Sequence, residues 1–230
     1  MNPTLPPKPQ KARGRGRPPK DVSEQQNIRH QLIQAGIIAL TEKGFGASGL
    51  DDILRGAGVA KGSFYHYFEN KEDFGSAVIK SYARYFDAKL DRWLTDDSYP
   101  PLQRLRHFVE DAKTGIIRFD YTRGCLIGNL GQELAILPVS FHQELRDVLA
   151  GWQHRVATCL MAAFDAPSPA YGHICQRWAE FFWIGWEGAV LRARLERSVR
   201  PMSLFSEIFL EMVEAECGLK EYTPPFTPPS

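Results

Sequence analysis

Residues 50–74 read LDDILRGAGVAKGSFYHYFENKEDF, and this stretch decides the fold. Leu50, Ile53, Leu54 and Ala57 recur at helical spacing behind Ser48, a residue type suited to an N-cap, so a short amphipathic helix is predicted to begin there. Gly58 ends it, because glycine takes the left-handed conformation at no steric cost, and Val59 fills the angle beyond. A second helix is predicted over residues 61–68. Phe64 and Phe68, one turn apart, face inward and leave Lys61, Gly62, Ser63, Tyr65 and His66 outside. A cation, a hydroxyl, a phenol and an imidazole on one short helix, with a glycine permitting close approach, suit phosphates and base edges. Asn70 then caps a third helix whose first turn holds Lys71, so that a helix N-terminus and an ammonium can meet one phosphate together. Two short helices, a tight turn and a capped third helix make a helix-turn-helix.

Working outward, GAGVAKGSFYHYFENKEDF resembles the signature of the TetR family of bacterial transcriptional repressors. In that signature a Gly-Val turn precedes a recognition helix ending in a Tyr-x-x-Phe element, followed by a Lys-Glu pair. The resemblance covers the first third of the chain. It implies DNA contacts through Ser48, Lys61, Gly62, Ser63, Tyr65, His66 and Lys71, and a dimer that reads two half-sites of a palindrome about 34 Å apart.

The 230 residues, 43% of them hydrophobic, suffice for one small and one larger domain, each with its own core. The net charge of +1 conceals a split. Residues 1–20 hold Lys8, Lys11, Arg13, Arg15, Arg17 and Lys20 with no acid, which leaves 22 basic against 27 acidic residues in the rest. This arm is rich in proline and glycine and poor in apolar side chains, so it is expected to be disordered by itself. Arg15-Gly16-Arg17-Pro18 resembles an AT-hook core that lays arginines along a narrow minor groove; the plainer alternative is a solvated tail attracted to phosphates. No apolar run follows the charges as in a signal peptide, and none has the length of a membrane span, so a cytoplasmic protein is expected.

Ser23 with Gln26 reads as a capping box opening a first helix that carries Ile28, Leu32, Ile33, Ile37 and Leu40 and stops near Lys43-Gly44. Phe45 is expected to pack beneath the helix-turn-helix. From Lys71 a long helix runs to about Trp93 and joins the two domains, so a tilt at its far end would move the recognition helix. Further helices are predicted over residues 102–119, 124–137, 140–164, 169–195 and 203–217, with no strand pattern and no repeat. The chain is expected to be all-α, divided into a basic arm (1–22), a helix-turn-helix domain (23–85), a larger effector-binding and dimerisation domain (86–219) and a Pro-rich end (220–230).

Residues 178–191, WAEFFWIGWEGAVL, are apolar almost all round, so one face meets the domain's own core and another something else. Gly185, Ala189 and Ala193 form a small-residue stripe suited to close helix contact. The last helix shows the same need with Leu204, Ile208 and Met212 beside Phe205, Phe209 and Val213. A homodimer through the last two helices follows, as the family resemblance also implies.

Cys125, Asn129 and Gln132 fall on one face of the helix predicted over 124–137, and Trp183, Trp186 and Glu187 share a face of another. A few polar groups among aromatic walls are what a small-molecule pocket needs. GCLIGNLGQE with FFWIGWEGAVLRARLE further resembles the AcuR-type members of the TetR family, which control catabolism of dimethylsulfoniopropionate and acrylate. That resemblance implies an acrylate-like effector that releases the repressor from DNA. An ionised Glu187 would repel it, so Glu187 is protonated by burial, or Arg118 or Arg123 supplies charge, or Glu187 points elsewhere, for instance to Arg192 or Arg194. Cys125 offers a second mechanism: near a helix N-terminus and beside Arg123, a thiol would ionise readily and add to an electrophile; the plainer alternative is an inert buried thiol.

The other cysteines, Cys159, Cys175 and Cys217, lie far apart, and no ligand spacing suggests a metal or any cofactor. An enzyme built on Cys125 and a histidine would leave the helix-turn-helix unexplained. A constitutive DNA-binding protein with no effector is the rival of a different class, and effector titration separates the two.

Overall fold

The computed structural model describes residues 22–164 and 169–218, so the basic arm with Arg15 and Arg17 and the Pro-rich end lie outside the described residues. The described chain is all-helical: α1 (Val22–Lys43), α2 (Leu50–Ala57), α3 (Lys61–Phe64), α4 (Lys71–Leu94), α5 (Pro101–Arg118), α6 (Leu126–Gly131), α7 (Val139–Met161), α8 (Pro169–Glu196) and α9 (Arg200–Glu216). No described helix is long and apolar enough to cross a membrane.

The first four helices close around Phe64, Phe68 and Phe74, whose ring centroids lie 5.0–5.6 Å apart. Leu32 and Leu40 of α1 and Ile53 and Leu54 of α2 complete this core. Gly58 ends α2 at φ 65°, and the Val59 N–H reaches the Leu54 carbonyl at 3.0 Å. Asn70 caps α4 by accepting the Asp73 N–H at 2.8 Å. Three local expectations fail. Ser48 does not cap α2; Gly49 stands at that position, while the buried Ser48 hydroxyl donates to the Gly44 carbonyl at 2.5 Å. Helix α1 begins at Val22, one residue before Ser23, so Ser23 is not outside the helix as a cap must be. The recognition helix stops at Phe64, and residues 65–67 form a turn. Gly62 and the aromatic run that follows are weak helix formers, and Phe68 must come back to within 5.0 Å of Phe74.

Helix α4 is shared by both halves. Its first turns pack on α1, where a Cβ on Gly36 would lie 2.5 Å from the Phe74 ring. Its later turns present Tyr82, Phe86 and Leu90 to α5 and α7, with the Phe86 and Trp152 rings 4.4 Å apart. Helices α7, α8 and α9 then build a bundle around Phe182, Trp186, Phe205 and Phe209. The helix expected over 124–137 shrinks to α6, and the chain continues through turns in which Glu133 N–H bonds Leu130 O and Ile136 N–H bonds Glu133 O. The Glu133 side chain is drawn elsewhere, as described below.

Candidate nucleic-acid interface and effector cavity

With Phe64 wholly buried, the rest of the turn-and-helix faces outward. Lys61, Gly62, Tyr65 and His66 are exposed, Ser63 is half-buried, and a Cβ on Gly62 would meet nothing within 4 Å. Tyr65 is 57% exposed while the edge of its ring rests on Phe64 at 5.3 Å, so the phenol is held without being covered. Lys61 reaches Asp51 at 3.0 Å, and the hydrogen bond to that carboxylate raises its pKa. The structure thus gathers Lys61, Gly62, Ser63, Tyr65 and His66 on one outer surface.

It does not bring Ser48 or Lys71 to that surface. The Ser48 hydroxyl is spent inside, and the Lys71 ammonium donates to the Phe45 carbonyl at 2.7 Å while lying 4.4 Å over the Phe45 ring. Burial lowers the Lys71 pKa, partly offset by the charge of Glu133. A lysine packed on an aromatic ring and bonded to a buried carbonyl is a brace between the α1–α2 connection and α4.

That connection is also gripped from the effector side. The Glu133 carboxylate accepts the Phe45 N–H at 3.2 Å and the Gly46 N–H at 2.8 Å. Gly44 makes room for it: its φ is +81°, and a Cβ there would lie 1.6 Å from Glu133 Oε1. Phe45 packs edge-on against Phe141 of α7 at 5.1 Å, so it is wedged between the domains rather than tucked under the helix-turn-helix alone.

Above this grip a cavity of about 330 Å³ opens between α1, α4, α5 and α8. Its walls include Gln34, Ile37 and Thr41 from α1, Tyr82 and Phe86 from α4, and Arg123, Cys125 and Trp186 from the far side. The wall is mostly apolar, as a small-molecule site requires, and it is contributed by both halves. Its cations are occupied: Lys89 pairs with Asp111 at 3.0 Å and Arg123 with Glu42 at 2.9 Å. Arg118 points to solvent.

Of the five residues expected to bind an effector, Cys125 and Trp186 line this cavity. Glu187 lies directly behind Cys125, its carboxyl facing the thiol and its Oε1 buried without a partner. Burial raises the Glu187 carboxyl to about 7, against a weaker lowering by Cys125. Within the chain neither arginine meets it: Arg192 binds Glu196 and Arg194 binds Asn129. Trp183 is buried among Trp152, Phe86 and Phe108 and lies one layer behind the cavity. Asn129 lies at a joint instead, its amide donating to the Thr41 carbonyl at 2.7 Å and accepting from Arg194 at 2.9 Å.

Of the two readings of Cys125, a reactive thiolate and an inert buried thiol, the geometry goes with the second. Cys125 does cap α6, its sulfur accepting the Gly128 N–H at 3.4 Å. Burial and the facing Glu187 nevertheless push its pKa well above the usual thiol range. Arg123, expected to stabilise a thiolate, is turned to Glu42.

Sequence reasoning missed Tyr82 and Glu133 as members of this assembly and named Arg194 only as a partner for Glu187. Helix α6 and the residues just before it meet α8 through two glycine slots: a Cβ on Gly128 would lie 1.8 Å from Glu187 Oε2, and one on Gly124 would lie 2.7 Å from Arg194 Cδ. The two stretches GCLIGN and WEGAVLRAR are therefore halves of one contact. Glu133 stood in the same run, but nothing local marks it as a partner of residues some ninety positions earlier.

Helices α8 and α9 leave an apolar seam outside. Phe181, Ile184, Leu191 and Leu195 are exposed, with the open Gly188 between them, at three- and four-residue spacings. Leu204 of α9 adjoins as a further exposed apolar residue. The Gly185, Ala189 and Ala193 stripe does not face outward: the Phe205 ring of the same chain fills the Gly185 slot, 2.1 Å from a Cβ there, and Ala189 and Ala193 are buried.

Comparison with known proteins agrees with both halves. Residues 32–78 match the model of bacterial regulatory proteins of the tetR family, and residues 101–209 that of the tetracyclin repressor-like C-terminal domain. The chain is 46% identical to the transcriptional regulator AcuR of Cereibacter sphaeroides over 207 residues, 90% of this chain and 92% of that protein. It is 31% identical to the HTH-type transcriptional repressor DhaR of a Mycobacterium species over 80% of this chain and 91% of that protein. A crystal structure of a regulatory protein TetR from Rhodobacter sphaeroides superposes with a TM-score of 0.74 at 46% identity, covering 80% of this chain and 97% of that one.

Proposed function

Because the chain belongs to the TetR family of transcriptional regulators, we propose that it is a ligand-responsive repressor, which holds a palindromic operator as a homodimer and lets go when a small unsaturated carboxylate of the acrylate type binds. The observation that carries the reading is the cavity, whose walls come from α1 of the DNA-binding half as well as from α4, α5 and α8. A molecule that fills it touches both bodies at once and biases their relative position, which a constitutive DNA-binding protein has no need of. The likeness to AcuR favours the acrylate class, through the GCLIGN and WEGAVLRAR stretches whose contact forms the cavity's inner end.

DNA is met by Lys61, Gly62, Ser63, Tyr65 and His66, with the basic arm and its Arg15 and Arg17 adding contacts to phosphates or the minor groove. The homodimer forms through the α8 seam and Leu204 and places two recognition elements one helical turn apart on the cytoplasmic DNA.

The test is a DNA-binding titration on the palindrome nearest the protein's own gene, with and without acrylate, for the wild type and Cys125→Ser. Reversible release of both supports a noncovalent effector. Release of the wild type alone, and irreversibly, makes Cys125 a covalent sensor, and no release from either sinks the effector assignment.

A further inference from the structure

The cavity has two cations in its wall, Lys89 of α4 and Arg123 just ahead of α6, and they are held differently. Lys89 bonds Asp111 of α5 at 3.0 Å, and the same carboxylate accepts the Trp93 indole N–H at 3.0 Å, so these three side chains fasten one another within the α4–α5 pair. Arg123 reaches across to the DNA-binding half instead. Its Nε donates at 2.9 Å to Oε1 of Glu42, in the last turn of α1, and among the described residues its two terminal amino groups have no hydrogen bond.

The Arg123 guanidinium lies 4.3 Å over the Phe119 ring, itself part of the cavity wall and 41% exposed, so this cation stands at the cavity's mouth. A guanidinium offers five donors in a planar fork that matches the two oxygens of a carboxylate, whereas an ammonium is a point charge. The wall also includes Ile116 and Trp186, both almost wholly buried, which offer apolar surface to the carbon end of a small acid.

We propose that Arg123 takes the effector's carboxylate and gives up Glu42 in doing so. Resting on the effector reading above, this names the residue that recognises the acid and the contact that the acid breaks. An anion arriving at the mouth meets a guanidinium that holds Glu42 through one N–H, and replaces that bond with a two-bond pair at the edge of an apolar site. Glu42 then loses its partner. The turn that Glu42 leads into is also gripped by Asn129 on the Thr41 carbonyl, by Arg194 on the Glu42 carbonyl and by Glu133 on the Phe45 and Gly46 N–H groups. None of these three lines the cavity, so of the four side chains that hold the end of α1 to the effector half, Arg123 is the one a ligand meets directly. An operator that favours the Arg123–Glu42 pair opposes the acid, and the acid opposes the operator by the same factor.

The experiment measures binding of acrylate, and of allyl alcohol as a three-carbon skeleton without the carboxylate, to the full-length protein free of DNA, together with operator affinity in the absence of effector. The wild type should prefer acrylate by about 10- to 100-fold, and Arg123→Gln should lose that preference. Glu42→Gln keeps it and binds acrylate about 2- to 5-fold more tightly, because no carboxylate competes for the guanidinium. Without effector, both variants weaken operator binding by a similar factor of about 2 to 5, and the double variant by no more than either alone. The two substitutions thus act on the ligand with opposite signs and on the operator with the same sign, which a merely structural role for Arg123 would not produce. An Arg123→Gln protein that still prefers acrylate overturns the assignment, and so does a Lys89→Met protein that loses the preference; the second variant decides even where the first fails to fold. Additive losses of operator affinity overturn the exchange with Glu42. A wild type that binds both compounds equally overturns recognition by charge while leaving a small-molecule effector in place. No acrylate binding by the wild type overturns the effector reading and the role of Arg123 with it.

Discussion

The helix-turn-helix and the α6–α8 joint are built in opposite senses. In the first, polar residues stand outside and three phenylalanines inside: Tyr65, His66 and Lys61 are exposed around Phe64, Phe68 and Phe74. In the second, Glu187, Cys125, Tyr82 and Asn129 are turned inward, and α8 carries an apolar seam on its exposed side. A surface that meets a polyanion keeps its donors in water until the partner arrives, at little cost to the fold. A site that must respond to a small molecule hides its polar groups where their desolvation makes each interaction strong and selective.

The largest effect should come from breaking the apolar side of the first region. Phe64→Ala removes a ring that is wholly buried between Phe68 and Phe74 and should cost roughly 3–5 kcal/mol, enough to melt the DNA-binding half. Operator binding and thermal unfolding measured together would show both failing; a normal melt would mean that the aromatic cluster is not what holds this half.

The second region is broken with pH. The Glu187 carboxyl is raised to about 7 by burial, above its ordinary value of 4.5, so the folded chain holds this proton more tightly than the unfolded one. The stability it contributes is complete below about pH 4.5 and is lost as pH rises toward 7, an upper bound of about 3 kcal/mol. Urea unfolding at pH 5 and pH 7.5 should show the wild type losing more stability than Glu187→Gln over that interval. Equal losses would place the carboxyl in water.

Gly128→Ala tests the packing of the same joint. Its Cβ would lie 1.8 Å from Glu187 Oε2, so roughly 1–3 kcal/mol and a melting temperature lower by about 2–4 °C per kcal/mol are expected. In a Glu187→Ala background the penalty should largely vanish. Strict additivity would show that the two residues do not share a slot.

Tyr65→Ala sharpens the contrast from the other side. Its exposed phenol should be removable with little change in the melt, while operator affinity drops about 10- to 100-fold. An unchanged affinity would take Tyr65 out of the interface.

The contrast also explains what the sequence made legible. The all-α class and the long helices follow from local periodicity, as do the Gly58 stop and the Asn70 cap, which involve residues at most five positions apart. The inward Phe64 and Phe68 announce themselves by spacing. Ser48 misled because a hydroxyl suited to a cap is equally suited to bonding the carbonyl four residues back. The intrachain partners of Lys71 were hidden, because nothing local shows that Phe45, twenty-six positions earlier, offers it a carbonyl and a ring. The second region rests on such distant pairs throughout. Glu133 with Gly46, Asn129 with Arg194 and Gly128 with Glu187 are each separated by more than fifty residues, so the stretches could be flagged as unusual but not joined. The outward seam of α8 was expected from its all-round apolarity, yet the stripe of small residues belonged to α9 of the same chain, because a glycine slot accepts a ring as readily as a neighbouring helix.

The smallest expected effect concerns charge on the outer face. Lys61 is exposed and paired with the exposed Asp51, so removing it should leave the melt unchanged. Its importance lies in counterions. Each phosphate neutralised releases about one, and Lys61→Ala should lower the steepness of log K against log salt by about one unit if it meets a phosphate. Asp51→Asn works in the opposite direction, because the ammonium no longer divides its attraction between a carboxylate and the DNA, and operator affinity should rise modestly at low salt. Deleting residues 1–20, with their six cations, should flatten the same slope further than Lys61→Ala does. A slope unmoved by the deletion would assign the electrostatic contact to the recognition face alone. One unmoved by Lys61→Ala would leave that lysine as the partner of Asp51 and nothing more.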